Sequence, residues 1–381
     1  MDSRKAIQIA IVAGEPSGDS LGAGLISAVL KQYPNVQFVG VGGPKMKHAG
    51  CEILYHMDRI GVMGIDGLFS KLADILRIRR ALHTRFTKSM PALFVGIDVP
   101  DFNLALEKRL KKSRIPCVHY VSPTVWAWRG YRIHKIRDSI NHMLTLFPFE
   151  EVFYENKGVP VTFVGHPFAD EIGFPDREQA RRKLNLSNED VIIALLPGSR
   201  RTEVKRLARL FIDAATQLHQ SHPGLKFLLP FANEKVKAEF YRLVDGVSLP
   251  ITTLDGEARL AIEASDVAIL ASGTVALEAA ILRRPHVVVY KLGRISHWLM
   301  KKLRHVDHYS MPNHLLPEPM VPELIQNDAT VENIVREVDD YLNDKDKVRE
   351  LEIHFGRIHK ELKCNANVQA KNAIAEIAGL K

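Results

Sequence analysis

The chain contains few cysteines. Its 381 residues include only Cys51, Cys117 and Cys364, which are too few and too scattered to build a disulfide framework or a cysteine-based zinc site. Sparse cysteine of this kind favours a reducing compartment. We therefore predict buried or inert thiols and a cytoplasmic protein.

Long apolar runs are also lacking. No stretch approaches the roughly 20 apolar residues that a membrane-spanning helix needs. The apolar run that begins at Ile7 follows basic residues, but it is too short for the core of a signal peptide and leads directly into a glycine turn. We interpret it as the first strand and expect any membrane contact to be peripheral.

Charge is only slightly unbalanced. The chain has 52 Lys and Arg against 44 Asp and Glu, a net charge of +8 with neutral histidine. This balance is compatible with nucleotides, nucleic acid or an acidic lipid surface as partners. The cations are dispersed and are not interleaved with aromatic residues on a strand, which disfavours a nucleic-acid-binding protein.

Apolar strand-like runs alternate with helical patterns over most of the chain. They lie at 7–13, 36–41, 93–97, 116–121, 142–147 and 161–165 in the first half, and at 191–196, 225–230, 267–270 and 286–290 in the second. This alternation predicts an α/β fold, in which helices cover both faces of parallel sheets.

Two segments open in the same way. Residues 7–30 and 191–218 each run from a strand through a Gly/Ser turn into a helix, like the first βα unit of a Rossmann-like domain. We therefore predict two Rossmann-like domains in tandem, at 1–170 and 171–325, with a polar and turn-rich boundary.

The pattern after Pro322 is helical to the C-terminus and shows no strand-like run. We expect the helical segment 326–381 to pack back on the first domain or onto another subunit. The second arrangement would make the protein a homodimer.

Two acids follow a strand in the stretch "LFVGIDVPDFN". The run 93–97 has the length and β-branched content of a buried strand, and Pro100 prevents its continuation. Asp98 and Asp101 therefore lie at the carboxyl end of a strand, where ligands bind in open α/β sheets. The alternative is that either acid only caps a helix.

The first glycine loop, "AGEPSGDSLGAG", lies between a strand and a helix. Gly14 and Gly18 permit a tight turn and a close approach of phosphate or sugar to backbone N–H groups. The dipeptide at 15–16 interrupts the dinucleotide fingerprint, which disfavours a nicotinamide oxidoreductase. Ser17 and Asp19 belong either to this candidate site or to helix caps.

Two loops in the second half predict a nucleotide site without a metal. In "LLPGSRRTEVKRL", Ser199 and Arg200 begin a helix whose N–H groups, together with a guanidinium, suit a diphosphate. In "ASGTVALE", a small-residue loop can cradle phosphate and an acid one turn later can accept hydrogen bonds from ribose hydroxyls. The residues in this second loop are Ser272, Gly273, Thr274 and Glu278. Surface charge around a helix cap is the alternative for the arginine.

Aromatic residues and a histidine complete the candidates. Trp126 and Trp128, in "HYVSPTVWAWR", share one face of an extended segment and could stack on a sugar or line an acyl groove. The alternative is that they are core aromatics, which Arg129 beside Trp128 disfavours for that residue. We interpret His166, in "FVGHP", as a structural histidine rather than a base.

Seven motifs connect this sequence to a known family. "VAGEPSGD", "VGIDVPDFN", "HYVSPTVWAWR", "FVGHP", "LLPGSR", "ASGTVALE" and "SMPN" occur in the order found in lipid-A-disaccharide synthase, and the resemblance runs from the first strand to "KCNAN" near the C-terminus. The sequence resembles that family over nearly its whole length. The resemblance implies a GT-B architecture with the active site in a cleft between the domains.

The resemblance also implies an inverting glycosyltransferase that needs neither a metal nor a cofactor. Its donor would be UDP-2,3-diacylglucosamine and its acceptor 2,3-diacylglucosamine 1-phosphate, known as lipid X. The products would be the β-1,6-linked disaccharide 1-phosphate and UDP. We expect Asp98 to be the general base, with Asp101 and then Asp19 as rivals. By the same resemblance, Asn313 in "SMPN" joins the donor site.

Acylated substrates require access to a bilayer. Residues 63–88 predict an amphipathic helix whose cations and apolar stripe suit the inner face of the cytoplasmic membrane. The residues that we expect to face the membrane are Leu68, Phe69, Leu72 and Leu76. The alternative is that the stripe faces its own sheet, as it does in most such helices.

A non-hydrolysing UDP-sugar epimerase is the alternative function. Such an enzyme uses a similar two-domain architecture and nucleotide site. It needs no acyl groove and no membrane-facing helix, so release of UDP from two lipid substrates would separate the two functions.

Overall fold

A computed structural model describes residues 7–61, 68–127, 130–244, 246, 248–271, 273–293 and 307–380, without the side chains of 68–71. The chain divides into two compact units. The first comprises Met1–Asp170 together with Leu362–Lys381, and the second comprises Glu171–Glu361.

The first unit is built on a seven-stranded sheet in the order β3-β2-β1-β4-β5-β6-β7, in which every strand pair is parallel. Its strands are β1 (Ile7–Ala13), β2 (Val36–Gly42), β3 (Cys51–His56), β4 (Leu93–Ile97), β5 (Cys117–Tyr120), β6 (His142–Thr145) and β7 (Val161–Phe163). The strand order reverses between β1 and β4. Ligands bind at such switch points, at the carboxyl ends of the strands.

Helices cover both faces of this sheet. They are α1 (Pro16–Gln32), α2 (Pro44–His48), α3 (Leu68–Ser89), α4 (Pro100–Lys112), α5 (Ile133–Ser139), α6 (Pro148–Glu155) and α7 (Pro167–Glu171), which ends at the boundary of the unit. The central strands are apolar because both their faces are buried. Phe94 of β4, for example, packs with Phe86 of α3 and Leu106 of α4 in one buried cluster.

The second unit has a six-stranded sheet in the order β10-β9-β8-β11-β12-β13, again with only parallel pairs. Its strands are β8 (Ile192–Leu196), β9 (Lys226–Phe231), β10 (Ile251–Asp255), β11 (Val267–Ala271), β12 (His286–Tyr290) and β13 (Glu323–Ile325). The switch point lies between β8 and β11. The predicted α/β class with two Rossmann-like sheets is confirmed.

The helices of the second unit complete its two layers. They are α8 (Arg177–Lys183), α9 (Arg201–Ser221), α10 (Glu234–Leu243), α11 (Ala258–Ala264), α12 (Thr274–Ile281), α13 (Met311–Leu315), α14 (Val331–Asn343) and α15 (Lys345–Leu362). The expectation of no strand after Pro322 is wrong, because β13 extends the sheet beside β12. Three residues are too short a run to show a strand period.

The C-terminal helical segment is shared between the units. Helix α14 and nearly all of α15 belong to the second unit, whereas α16 (Ala366–Ala378) belongs to the first, where it packs on α1. The carboxylate of Asp170 accepts hydrogen bonds from the N–H groups of Asn365 and Ala366, at 2.8 and 2.6 Å. These bonds anchor the start of α16 within the first unit.

Two kinds of feature do not occur in the part of the chain that the structure describes. No helix there combines the length and apolar content needed to cross a bilayer. The same ranges contain no group of three or more His, Cys, Asp or Glu side chains that could hold a metal ion.

Candidate active site

The backbone is strained where Asp98 follows β4. Asp98 has a φ of 51° and Val99 a φ of 42°, so two successive residues with side chains adopt the left-handed region. Each such residue typically costs about 1–3 kcal/mol, and strain of this kind concentrates at functional sites. The N–H of Asp98 donates to the carbonyl of Tyr120 at 2.9 Å, which ties the turn to the end of β5.

Asp98 lines a cavity. The cavity has a volume of about 240 Å³, and Asp98 shares its lining with Pro100, Val121, Ser122, Pro123, Thr124, Val125 and Arg132. Among the described residues, no side chain or backbone group donates a hydrogen bond to the Asp98 carboxylate. An ionised acid in this position can accept a proton from a bound hydroxyl.

Asp101 lies in a different environment. It is exposed in the first turn of α4 and forms an ion pair with Arg132, which is largely buried. The guanidinium already satisfies this carboxylate, and the pair fixes Arg132 beside the cavity. This geometry favours Asp98 over Asp101 as the candidate base.

The β1–α1 loop lies beside the Asp98 turn. A Cβ atom at Gly14 would lie 2.7 Å from Cγ2 of Val99, so only glycine allows the two loops to approach this closely. Gly18 is buried against Ala13, and Ser17 is exposed on the first turn of α1.

Asp19 has a structural role. Its buried carboxylate accepts hydrogen bonds from the backbone N–H groups of Gly43, Lys45 and Met46 at 2.7, 3.0 and 3.0 Å. It therefore caps α2 from a neighbouring helix rather than its own. A carboxylate with both oxygens occupied in this way is poorly placed to act as a base.

Behind the cavity lies a buried polar cluster. Ser122, which lines the cavity, bonds to the hydroxyl of Tyr154 at 2.9 Å, and Nε1 of Trp126 donates to Oε1 of Glu150 at 3.0 Å. Burial raises the pKa of the Glu150 carboxyl to about 7. Glu150 was not among the residues that the sequence singled out. An acid three residues after the N-cap residue, here Phe147, is nevertheless a capping signal. Trp128 lies outside the described residues.

His166 is a structural histidine, as expected. Its ring lies between those of Phe147 and Phe168, and its Nδ1 accepts a hydrogen bond from the N–H of Phe168 at 3.2 Å. Burial lowers the pKa of the imidazole to about 4. The ring is therefore neutral at physiological pH.

The loop after β8 is an anion-binding arrangement that already holds an anion. The N–H groups of Ser199 and Arg200 donate to Oε2 of Glu203 at 3.0 and 3.2 Å, and Nη1 of Arg200 lies 3.1 Å from Oε1. Gly198, with a φ of 127°, brings the loop against this side chain. Glu203 was not among the residues that the sequence singled out.

The loop after β11 is only partly described. Gly273 has a φ of 152° and precedes Thr274, the first residue of α12. Glu278, one turn into the helix, lies with Oε1 2.9 Å from Nε of Arg259. Ser272 lies outside the described residues.

Asn313 is buried in α13, and its amide is fully occupied. Its Nδ2 donates to the carbonyl of Val321 and to Oε1 of Glu323 at 2.9 and 2.8 Å, and its Oδ1 accepts from the N–H groups of Met320 and Val321. Glu323 also accepts from the N–H groups of two further residues, Tyr309 and Ser310. Asn313 therefore organises this segment and cannot offer its amide to a ligand without losing these bonds.

Most of the apolar side chains described in helix α3 are buried in the core of the first unit. Ile75, Ile78, Leu82 and Phe86 lie in the core beneath the sheet. Leu72 is 44% exposed and Leu76 is half-buried. The side chains of Leu68 and Phe69 lie outside the described residues. From Ile75 onward the stripe thus faces the core of its own unit, which was the alternative considered, whereas a membrane-facing role for Leu72 and Leu76 stays a prediction.

Comparison with known proteins agrees with this arrangement of sheets and loops. Residues 9–377 match the protein family described as Lipid-A-disaccharide synthetase. The lipid-A-disaccharide synthase of Pseudoalteromonas translucida (strain TAC 125) is 44% identical over 379 residues, which are 98% of this chain and 98% of the relative. The resemblance read from the seven motifs is confirmed.

Solved structures share the fold. Acinetobacter baumannii MurG aligns with a TM-score of 0.58 and 16% identity, covering 97% of this chain and 99% of MurG. The UDP-GlcNAc 2-epimerase from Neisseria meningitidis, solved bound to UDP-GlcNAc, aligns with a TM-score of 0.58 and 12% identity over 97% of this chain and 99% of that one. At such identities the likeness shows the GT-B-type fold alone.

Proposed function

Since the chain belongs to the lipid-A-disaccharide synthetase family of glycosyltransferases, we propose that its first unit binds the acceptor and supplies the base, and that its second unit binds the UDP-sugar donor. The donor is UDP-2,3-diacylglucosamine and the acceptor is lipid X. The reaction forms a β-1,6 bond with inversion and releases UDP.

Asp98 carries the chemical step in this proposal. Its carboxylate takes the proton of the acceptor 6-hydroxyl as the oxygen attacks the anomeric carbon, and UDP departs from the opposite face. The supporting observation is that Asp98 lines a cavity from a strained turn and that its carboxylate has no hydrogen-bond partner among the described residues. A base held by a rigid strand and turn loses little precision to motion. The acceptor loop includes Gly14, Ser17, Gly18, Asp19, Asp101 and Trp128.

The second unit stabilises the leaving diphosphate. The backbone N–H groups at the start of α9 and the Arg200 guanidinium are donors aimed at an anion, and such donors stabilise the charge that develops on a departing phosphate. Ser199, Ser272, Gly273, Thr274, Glu278 and Asn313 complete the donor site. In this assignment Glu278 accepts from ribose hydroxyls, and Asn313 acts by holding its segment in shape.

The start of α3 docks on the inner face of the cytoplasmic membrane in this proposal. Leu72 is exposed, and so are Arg77 and Arg80 of the same helix. An apolar residue flanked by cations suits an anionic lipid surface. Self-association into a homodimer stays a prediction, which light scattering of the purified protein would test.

Incubation with both acylated sugars tests the function directly. The expected products are UDP and a disaccharide 1-phosphate, formed equally with and without EDTA. If the product were an epimerised UDP-sugar instead of a disaccharide, the protein would be an epimerase and not a transferase. Release of UDP only in the presence of a metal would refute the metal-independent mechanism.

A further inference from the structure

A buried asparagine forms a hydrogen bond to the backbone of the strained turn at Asp98. Asn103 lies on α4 and is completely buried. Its Nδ2 donates to the carbonyl oxygen of Asp98 at 2.8 Å and lies 3.3 and 3.4 Å from the carbonyl oxygens of Ile97 and Val12. One amide therefore connects the carboxyl ends of the two central strands to the backbone of the candidate base.

Gly96 provides the space that this contact needs. A Cβ atom at that position would lie 3.0 Å from Cβ of Asn103 and 2.2 Å from Oε1 of Glu107. Helix α4 therefore approaches β4 so closely that two polar side chains, one helical turn apart, lie directly on the strand. No residue other than glycine fits here.

Glu107 and His119 form a buried polar layer together with Asn103. Oε1 of Glu107 lies 2.8 Å from Nδ1 of His119, and both side chains are completely buried. Burial raises the pKa of the Glu107 carboxyl, and His119 opposes that shift. His119 pairs in register with Gly96 across β4 and β5, so the layer is continuous behind the Asp98 turn.

The polar side chains of this layer stabilise the fold less than apolar side chains of the same shape would. Oδ1 of Asn103, Oε2 of Glu107 and Nε2 of His119 have no hydrogen-bond partner among the described residues. Unpaired buried polar atoms destabilise a fold, and apolar side chains of the same shape would avoid that cost. A polar layer at this position, directly behind a candidate base, points to a role in function.

We propose that Asn103 is a positioning residue for Asp98, supported from below by Glu107 and His119. The inference rests on the proposed role of Asp98 as the base. Two consecutive left-handed residues are unstable unless something holds them, and the Asn103 amide supplies a bond to the carbonyl between them. Without that bond, the turn relaxes and the Asp98 carboxylate leaves its position on the cavity. Asn103 itself contacts no substrate.

Two variants in two backgrounds test this role. Asn103→Ala removes the amide, and Asn103→Leu removes it while filling nearly the same volume. Each should lower kcat by about 10- to 100-fold, since a displacement of about 1 Å in a catalytic group costs up to about that factor. UDP affinity by calorimetry should stay within about twofold, because the donor site lies in the other unit. In the Asp98→Asn background, neither variant should cause any further loss, because two residues that act as one unit are not additive.

Asn141→Ala is the matched control. Oδ1 of Asn141 accepts from the N–H of Cys117 at 3.0 Å, at the amino end of β5 and thus at the opposite edge of the same sheet. This variant also removes an amide bond to the sheet backbone, but kcat should change less than about twofold, since its contact lies far from the Asp98 turn.

Four results would overturn the inference. Full turnover of Asn103→Leu would do so, as would an equal loss of kcat in the Asp98→Asn background. If neither Asn103 variant folds while Asn141→Ala does, Asn103 serves folding rather than positioning. Normal turnover of Asp98→Asn would instead refute the base assignment and this inference with it, whereas an inactive Asp98→Asn beside fully active Asn103 variants would refute this inference alone.

Discussion

Oε1 of Glu203 lies 3.1 Å from Nη1 of Arg200, at the loop where we propose that the donor diphosphate binds. The other oxygen of the same carboxylate accepts hydrogen bonds from backbone N–H groups of that loop. The Glu203 carboxylate thus already binds the N–H groups and the guanidinium that a diphosphate would need. A diphosphate has to displace it.

Single substitutions of Glu203 and of Arg200 should change UDP affinity in opposite directions. Glu203→Gln removes a negative charge that competes with the diphosphate, so UDP should bind several-fold more tightly, a gain of about 1 kcal/mol. Arg200→Ala removes a charge-assisted contact and should weaken binding by about 1.5–3 kcal/mol. Isothermal titration with UDP measures both. Weaker binding by both variants would mean that Glu203 orients the loop instead of competing for it.

Asp98→Asn should abolish most of the turnover. The amide is nearly isosteric but cannot take a proton, and general-base catalysis is typically worth about 10²- to 10⁴-fold in rate. The rate of UDP release from both acylated sugars measures the loss, and calorimetry should show unchanged UDP binding.

Asp101→Asn is the control for that experiment. Its carboxylate pairs with Arg132, so the exchange removes an orienting contact and should lower turnover less. A larger loss from Asp101→Asn than from Asp98→Asn would reverse the two roles. If neither variant loses turnover, the base lies at another residue.

Membrane binding should depend on Leu72 without depending on the core of α3. Leu72 is 44% exposed, whereas Ile75, three residues later, is 8% exposed. Leu72→Ser should weaken sedimentation with anionic vesicles and leave the melting temperature unchanged. Ile75→Ser should lower the melting temperature, because a buried side chain of this size typically contributes about 2 kcal/mol or more. Unchanged vesicle binding by Leu72→Ser, with the fold intact, would leave this surface without a role in docking.

Stability should fall in mild acid through His166. Burial lowers the pKa of its imidazole from the usual 6.5 to about 4, so between these values the unfolded chain binds the proton and the folded chain does not. The free energy of unfolding therefore falls as the pH drops from about 6.5 to 4, by up to about 3 kcal/mol from this residue.

His166→Asn should remove that dependence. The amide oxygen can still accept from the N–H of Phe168, as in an Asx turn, but it does not titrate. Urea denaturation at pH 7 and pH 4.5 measures the difference. An equally steep pH dependence in the variant would assign the effect to other buried histidines, of which His286 has a pKa lowered to about 4.

The sequence alone identified the central strands and one edge strand, β7, but missed the other three edge strands. All of the strands buried on both faces, such as β1 and β4, are apolar runs of the predicted kind. The missed strands, β3, β10 and β13, each lie at an edge of their sheet and are partly exposed. A strand with one open side carries polar residues, so its composition resembles that of a loop.

The motifs alone also determined the family and the fold, because residue types at a turn or a helix start are dictated by local backbone needs. What they could not determine is which polar side chains remain available once the chain has folded. Asp19 and Asn313 were expected at the site, yet the tertiary structure commits both to backbone groups, and Glu203 binds the loop that we propose for the donor. The carboxylate of Asp98 is left without a hydrogen-bond partner among the described residues. Hydrogen-bond partners come from segments distant in sequence, so only the tertiary structure decides whether an acid serves as a cap or as a base.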